Sequence, residues 1–184
     1  MLSPCLILLS SAPMPLVYQE QHCHLTLREG VEAYHAYLRS LNRKIMVDAP
    51  GSRLLFEHDA THVISGLNTT LEQEAALDTW VFLGCRFKWS YIREYGRLPE
   101  LKALYAALVK ECGWVLFPRI YWQTLGMKWR VLRRTRRMTE KWPFQFPEAY
   151  LDDPIADLRA RHGIEILSEQ ERYVEHPIVW SGEY

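Results

Sequence analysis

The chain has 184 residues, 22 basic and 22 acidic side chains, 48% hydrophobic residues and 24% charged ones, ordinary composition for roughly one globular domain. A chain of this length builds a core without a structural metal, so a metal would serve function rather than folding. The balanced charge excludes a general nucleic-acid binder, which needs a basic excess to neutralise phosphates.

Residues 1–24, with Pro4, Pro13 and Pro15, read as an irregular lead-in. The apolar run 6–9 is far shorter than the roughly 20 residues of a membrane span, and no basic region precedes it, so neither a span nor a secretory signal is expected. Cys5, Cys23, Cys85 and Cys112 form no Cys-x-x-Cys pair, which signals neither a zinc ribbon nor a disulfide framework and suits a reducing compartment.

From Thr26 the apolar residues recur every three or four positions, at Leu27, Val31, Tyr34, Leu38 and Leu41, and Thr26 with Glu29 makes a capping box. A second helix is expected from about Ser52 to Gly66, and a third, capped by Thr70 and Gln73, from there to about Tyr95. Pro99 and Gly113 bracket a fourth. The stretch 114–141 is aromatic first and basic later, with Pro118 and Gly126 as expected interruptions. Asp153 and Pro154 open a last helix that ends at Gly163. No run alternates long enough for a substantial sheet, so the expected fold is all-α, one helical bundle of about six to seven helices over 25–164, with the tail 165–184 packed on it.

His58-Asp59-Ala60-Thr61-His62 sets two imidazoles one helical turn apart on one face. Asp59 lies roughly 100° round that helix, as a third ligand or an anchor behind the ligands. Glu74 follows His62 after a turn that folds it back toward the histidines. His58, Asp59, His62 and Glu74 make a coherent set for a divalent cation; nitrogen with oxygen suits zinc, manganese or iron, and magnesium less well. The plainer alternative leaves His62 as a core histidine and Glu74 as an acid favouring the positive end of its helix.

His58-Asp59-x-x-His62, eleven residues and then Glu74 resembles the His-Asp-x-x-His-x(11)-Glu signature of the coenzyme Q biosynthesis protein 4 family. The segment 154–164, with Leu158-Arg159 and Gly163-Ile164, resembles that family's C-terminal helix. The resemblance implies an all-helical fold, a divalent metal at His58, Asp59, His62 and Glu74, zinc foremost, and a cleft for a polyprenyl tail. It also implies work on a prenylated quinone precursor in ubiquinone assembly, where the ring carboxylate at carbon one is removed and replaced by oxygen, with Asp59 and Glu74 as candidate catalytic acids. Other ubiquinone biosynthesis proteins and a second copy of the chain are the implied partners. Peripheral attachment to a membrane from the cytoplasm, or in a eukaryotic cell from the mitochondrial matrix, is the implied location.

Asp78, one turn after Glu74, is either a solvated acid or a group that orients a ligand or trades protons, and Cys85 further along reads as core. The stretch 128–141 carries seven basic residues against the single acid Glu140, a local charge of +6, interleaved with Trp129, Val131, Leu132 and Met138 and followed by Trp142. As an amphipathic helix over 128–142 it would lie on an anionic bilayer; as a plain one its arginines would pair with acids elsewhere. His22-Cys23-His24 is a weaker ligand cluster. Two other functions use much the same residues. A non-catalytic scaffold would hold prenyl lipid without turning it over, and an HD-type phosphohydrolase would combine His35, His58-Asp59 and one of Asp152, Asp153 or Asp157.

Overall fold

The computed structural model describes residues 16–43, 45–175, 177 and 178, so the expectations for residues 1–15 lie outside it. The architecture is all-α. The helices are α1 (Leu27–Ser40), α2 (Leu54–Ser65), α3 (Leu71–Gly84), α4 (Trp89–Tyr95), α5 (Pro99–Cys112), α6 (Leu116–Thr135), α7 (Ile155–His162) and α8 (Glu169–Arg172). Two-residue strands β1 (Cys85–Arg86) and β2 (Trp142–Pro143) pair in parallel.

Thr26 caps α1 as its sequence predicts: Thr26 Oγ1 accepts from Glu29 N at 3.2 Å and Glu29 Oε2 accepts from Thr26 N at 2.8 Å. The apolar stripe Leu27, Val31, Tyr34 and Leu38 is buried. Glycine permits its close approach to α2 and α7, since a Cβ at Gly30 would stand 2.6 Å from Val63 Cγ1 and 2.7 Å from Ile155 Cδ1. The core behind these helices includes Ile64, Leu77, Trp142, Ile155 and Leu158, all essentially inaccessible to water. A smaller apolar cluster, Leu104, Leu108, Leu116 and Ile120, joins α5 to the start of α6, and Ile178 packs against it.

The structure departs from the sequence reading in three places. The third helix does not run to Tyr95; it stops at Gly84, where a Cβ would meet Thr135 Cγ2 at 2.9 Å, and Cys85 and Arg86 then pair with Trp142 and Pro143. Pro118 and Gly126 do not interrupt α6, because Pro118 is its third residue, where no intrahelical acceptor awaits an N–H, and a single exposed glycine weakens a helix without breaking it. The basic segment is not one amphipathic helix over 128–142: α6 ends at Thr135, and Trp142 is buried in β2. Among the described residues no helix is long and apolar enough to cross a membrane.

Cys23 and Cys85 are buried free thiols, whereas Cys112 is disulfide-bonded, a pairing its spacing did not signal. Burial pushes the Cys85 thiol well up, as suits a packing residue.

His162 closes α7 in the core, its ring edge-on to Trp142 at 5.2 Å and beside the Glu140 backbone. Burial holds its pKa below the ordinary value. The unfolded chain therefore takes up this proton first, from about pH 6.5 downward. The sign follows: stability is full above that pH and falls as pH drops toward the depressed folded value. Urea midpoints taken between pH 7.5 and pH 5 are expected to fall less steeply in a His162→Phe variant than in the parent; equal slopes would refute this.

Candidate metal centre

Helix α2 carries both signature histidines and is fixed at each end by distant side chains. At its start Asp48 accepts from Leu55 N at 2.9 Å and Phe56 N at 3.0 Å, satisfying amides that have no partner within the helix. At its end Gly66 takes the left-handed conformation, φ 69°, that lets the chain turn. The Arg159 guanidinium, fully buried, donates there to the carbonyls of Val63 and Ile64, and also to those of Tyr18, Glu20 and Gln21. Arg172 donates to Gln19, Gly66 and Leu167 carbonyls beside it.

The turn into α3 is equally determined. Thr70 Oγ1 accepts from Gln73 N, and Gln73 Oε1 accepts from Asn68 N at 2.8 Å rather than closing the box on Thr70. This sets the first turn of α3, with Glu74, against the last turn of α2.

One ring nitrogen each from His58 and His62 and one Glu74 oxygen lie within 4.8 Å of one another. His62 is fully buried, stacked on Tyr34 at 4.9 Å and 21°, and edge-on to His58 at 4.9 Å. Its Nε2 pairs with Glu74 Oε1 at 3.4 Å, and its Nδ1 is buried without a hydrogen-bond partner. A tetrahedral zinc site spaces its donor atoms roughly 3.4 Å apart. The His62–Glu74 pair already has that spacing.

Asp59 stands outside that three-donor group. Its Oδ2 meets His35 Nε2 at 2.7 Å and its Oδ1 lies 3.7 Å from His58 Nδ1, the anchor's place rather than the ligand's. Burial works against ionisation of both acids, but the imidazoles outweigh it, His35 and His58 at Asp59, His62 and His58 at Glu74, and both pKa values are lowered. Burial likewise opposes charge on His58, yet Asp59 and Glu74 prevail and raise it. Asp78 is raised, by burial and then by the Glu74 charge.

The group opens onto a cleft of two chambers. The more polar of the two, about 880 Å³ with its mouth, has Asp59, Thr69, Glu74 and Asp78 on a wall that is otherwise largely apolar. The other, about 900 Å³ with its mouth, is walled mainly by apolar side chains of α3, α4 and the link between them, among them Val81, Phe82, Phe87 and Ile92. His58, Asp78, Tyr95, Leu101 and Tyr105 belong to both. Asp78 is thus open to the cleft rather than to the outer face of the bundle.

Other candidate residues lie elsewhere. His22 and His24 are exposed on either side of buried Cys23. Asp152 pairs with Arg28 and Asp153 with Arg161, each at 3.0 Å, and Asp157 is exposed; none of the three lines the cleft. Sequence reasoning missed Tyr34 and Tyr95, which pack on the two imidazoles, because no local pattern announces a contact made across the bundle. Comparisons with protein-family models, curated proteins and solved structures found no match.

Proposed function

We propose that this chain is a divalent-metal protein of ubiquinone assembly that takes a prenylated ring acid, with His58, His62 and Glu74 as ligands. One observation carries the proposal: His58, buried His62 and Glu74 bring donor atoms within 4.8 Å of one another, and His58 lies on the wall shared by the two chambers. The signature spacing adds the substrate class, through the family it resembles. A ring bearing carboxylate and hydroxyl oxygens suits the more polar chamber, and an isoprenoid tail suits the chamber of Val81, Phe82, Phe87 and Ile92.

A bound divalent ion supplies Lewis-acid polarisation of a coordinated oxygen, the chemistry that loss of a ring carboxylate calls on. His58, His62 and Glu74 hold it, and Asp59 orients His58 while bracing α2 against His35 of α1. Asp78, whose carboxyl the cleft keeps more basic than usual, is placed to hold a proton beside the reacting ring.

A lipid-binding scaffold without turnover is the second reading, favoured by the size of the apolar chamber. Attachment to an anionic membrane belongs to either reading and uses the outward side of α6, where Trp122 and Trp129 are exposed among Arg119, Arg130 and Arg133.

Elemental analysis of the purified protein beside a His58→Ala/His62→Ala variant, with organic extraction and mass spectrometry, tests the proposal. The expected result is one stoichiometric divalent metal, lost in the variant, together with a prenyl lipid, and co-sedimentation with anionic vesicles at physiological salt. Absence of metal from the parent after growth and refolding with zinc would sink it. Lipid without metal would leave the scaffold.

A further inference from the structure

Tyr95 ends α4 and stacks on His58, ring centres 5.1 Å apart and planes 22° apart, with its hydroxyl oxygen 3.3 Å from His58 Nε2. The other ring nitrogen, Nδ1, faces the Asp59 carboxylate at 3.7 Å. A neutral imidazole has one N–H and one lone pair, and a carboxylate beside Nδ1 places the proton there. Nε2 is then the acceptor, and the Tyr95 hydroxyl donates to it. That lone pair is also the one through which His58 would bind an ion.

We infer that Tyr95 is a positioning residue that guards the metal site: its hydroxyl occupies the His58 lone pair until an ion takes it, and is then released to donate to an oxygen of a metal-bound ligand. This rests on the metal reading above. The stacked ring keeps the His58 imidazole in one orientation whether or not the hydroxyl is engaged. The freed hydroxyl needs only a torsion about its C–O bond, because Tyr95 already lies on the wall shared by both chambers. Tyr91 and Tyr95 are half-buried at the edge of the core, so α4 need not move for the hydroxyl to turn. Loading of the ion and binding of an oxygen-bearing head group are thereby coupled through one phenol.

The test compares the parent with Tyr95→Phe, which keeps the stacked ring and removes only the hydroxyl. Zinc affinity, measured by competition with a chromophoric chelator, is expected to rise about fivefold in the variant, the worth of one ordinary hydrogen bond no longer displaced. Affinity of the zinc-loaded variant for 4-hydroxybenzoate, measured by calorimetry, is expected to fall by about the same factor. In a His58→Ala background, Tyr95→Phe should leave the residual zinc affinity unchanged, which separates the lone-pair effect from any general loosening of α4. Unchanged or weaker zinc binding by Tyr95→Phe, with normal binding by the parent, overturns the inference alone. A parent that binds no zinc overturns the metal reading and this inference with it.

Discussion

An Arg159→Met variant is expected to lose about 4 kcal/mol of folding stability, a large share of the roughly 5–15 kcal/mol that holds a domain together. The guanidinium is fully buried and donates to five main-chain carbonyls, of Tyr18, Glu20, Gln21, Val63 and Ile64. Among the described residues no carboxylate pairs with it, and desolvation draws its pKa down to about 10. Its charge therefore rests on carbonyl dipoles, including those at the negative end of α2, where a cation is favoured. Methionine fills much of the volume and removes the cost of a buried charge, but leaves several acceptors dry, each worth about 1–3 kcal/mol. Lysine is a poor substitute, because one ammonium cannot reach carbonyls spread over two chain segments. Urea unfolding followed by tryptophan fluorescence measures the loss; a midpoint within error of the parent would show that water enters and takes the arginine's place.

The second large effect concerns His62. In the presence of chelator a His62→Leu variant is expected to be more stable than the parent by about 1–3 kcal/mol, because leucine needs no partner, whereas the imidazole Nδ1 is buried without one and Nε2 has only its 3.4 Å contact with Glu74. With zinc the order reverses. Zinc at a thousandfold excess over its dissociation constant stabilises the parent by about 4 kcal/mol, and the variant gains little. For a chain of this size that is a rise of roughly 8–16 °C in Tm. A buried polar side chain kept at a cost to the fold is the mark of a site selected for binding. Thermal melts of both proteins, with chelator and with zinc, decide the matter. A leucine variant less stable than the parent under chelator would make His62 an ordinary core histidine.

Much of the scaffold was legible because its signals are local. Thr26 with Glu29 marks the start of α1, Gly66 the end of α2, and Pro99 with Gly113 the limits of α5, each within a few residues of the event it controls. His58, His62 and Glu74 converge as the helix spacing and the Gly66 turn imply. What the sequence did not disclose depends on partners far along the chain. α3 ends at Gly84, where Thr135 of α6 lies close and Cys85 and Arg86 turn to pair with Trp142 and Pro143, while the apolar residues around it read as continuous helix. Asp59 was open between ligand and anchor until His35 of α1 met it. Tyr95 sat inside the expected third helix, which hid its place on α4. Arg159 stood out only as part of the resemblance over 154–164, with nothing to say that it would be buried or which carbonyls it would meet.

The same arginine sets a timetable for synthesis. Ile64 and Arg159 are 95 residues apart, and Tyr18 and Arg159 are 141 apart. At roughly 5–20 residues per second, a ribosome needs about 5–20 s after making the end of α2 to deliver the side chain that satisfies it. Throughout that interval the nascent chain holds both histidines and Glu74 without the clamp that fixes their helix. A metal acquired then would be held by a loose hairpin, open to exchange with any competing ion. On the metal reading proposed above, selection of the ion would belong to the moment after Arg159 has been delivered and its contacts with Tyr18, Val63 and Ile64 have formed.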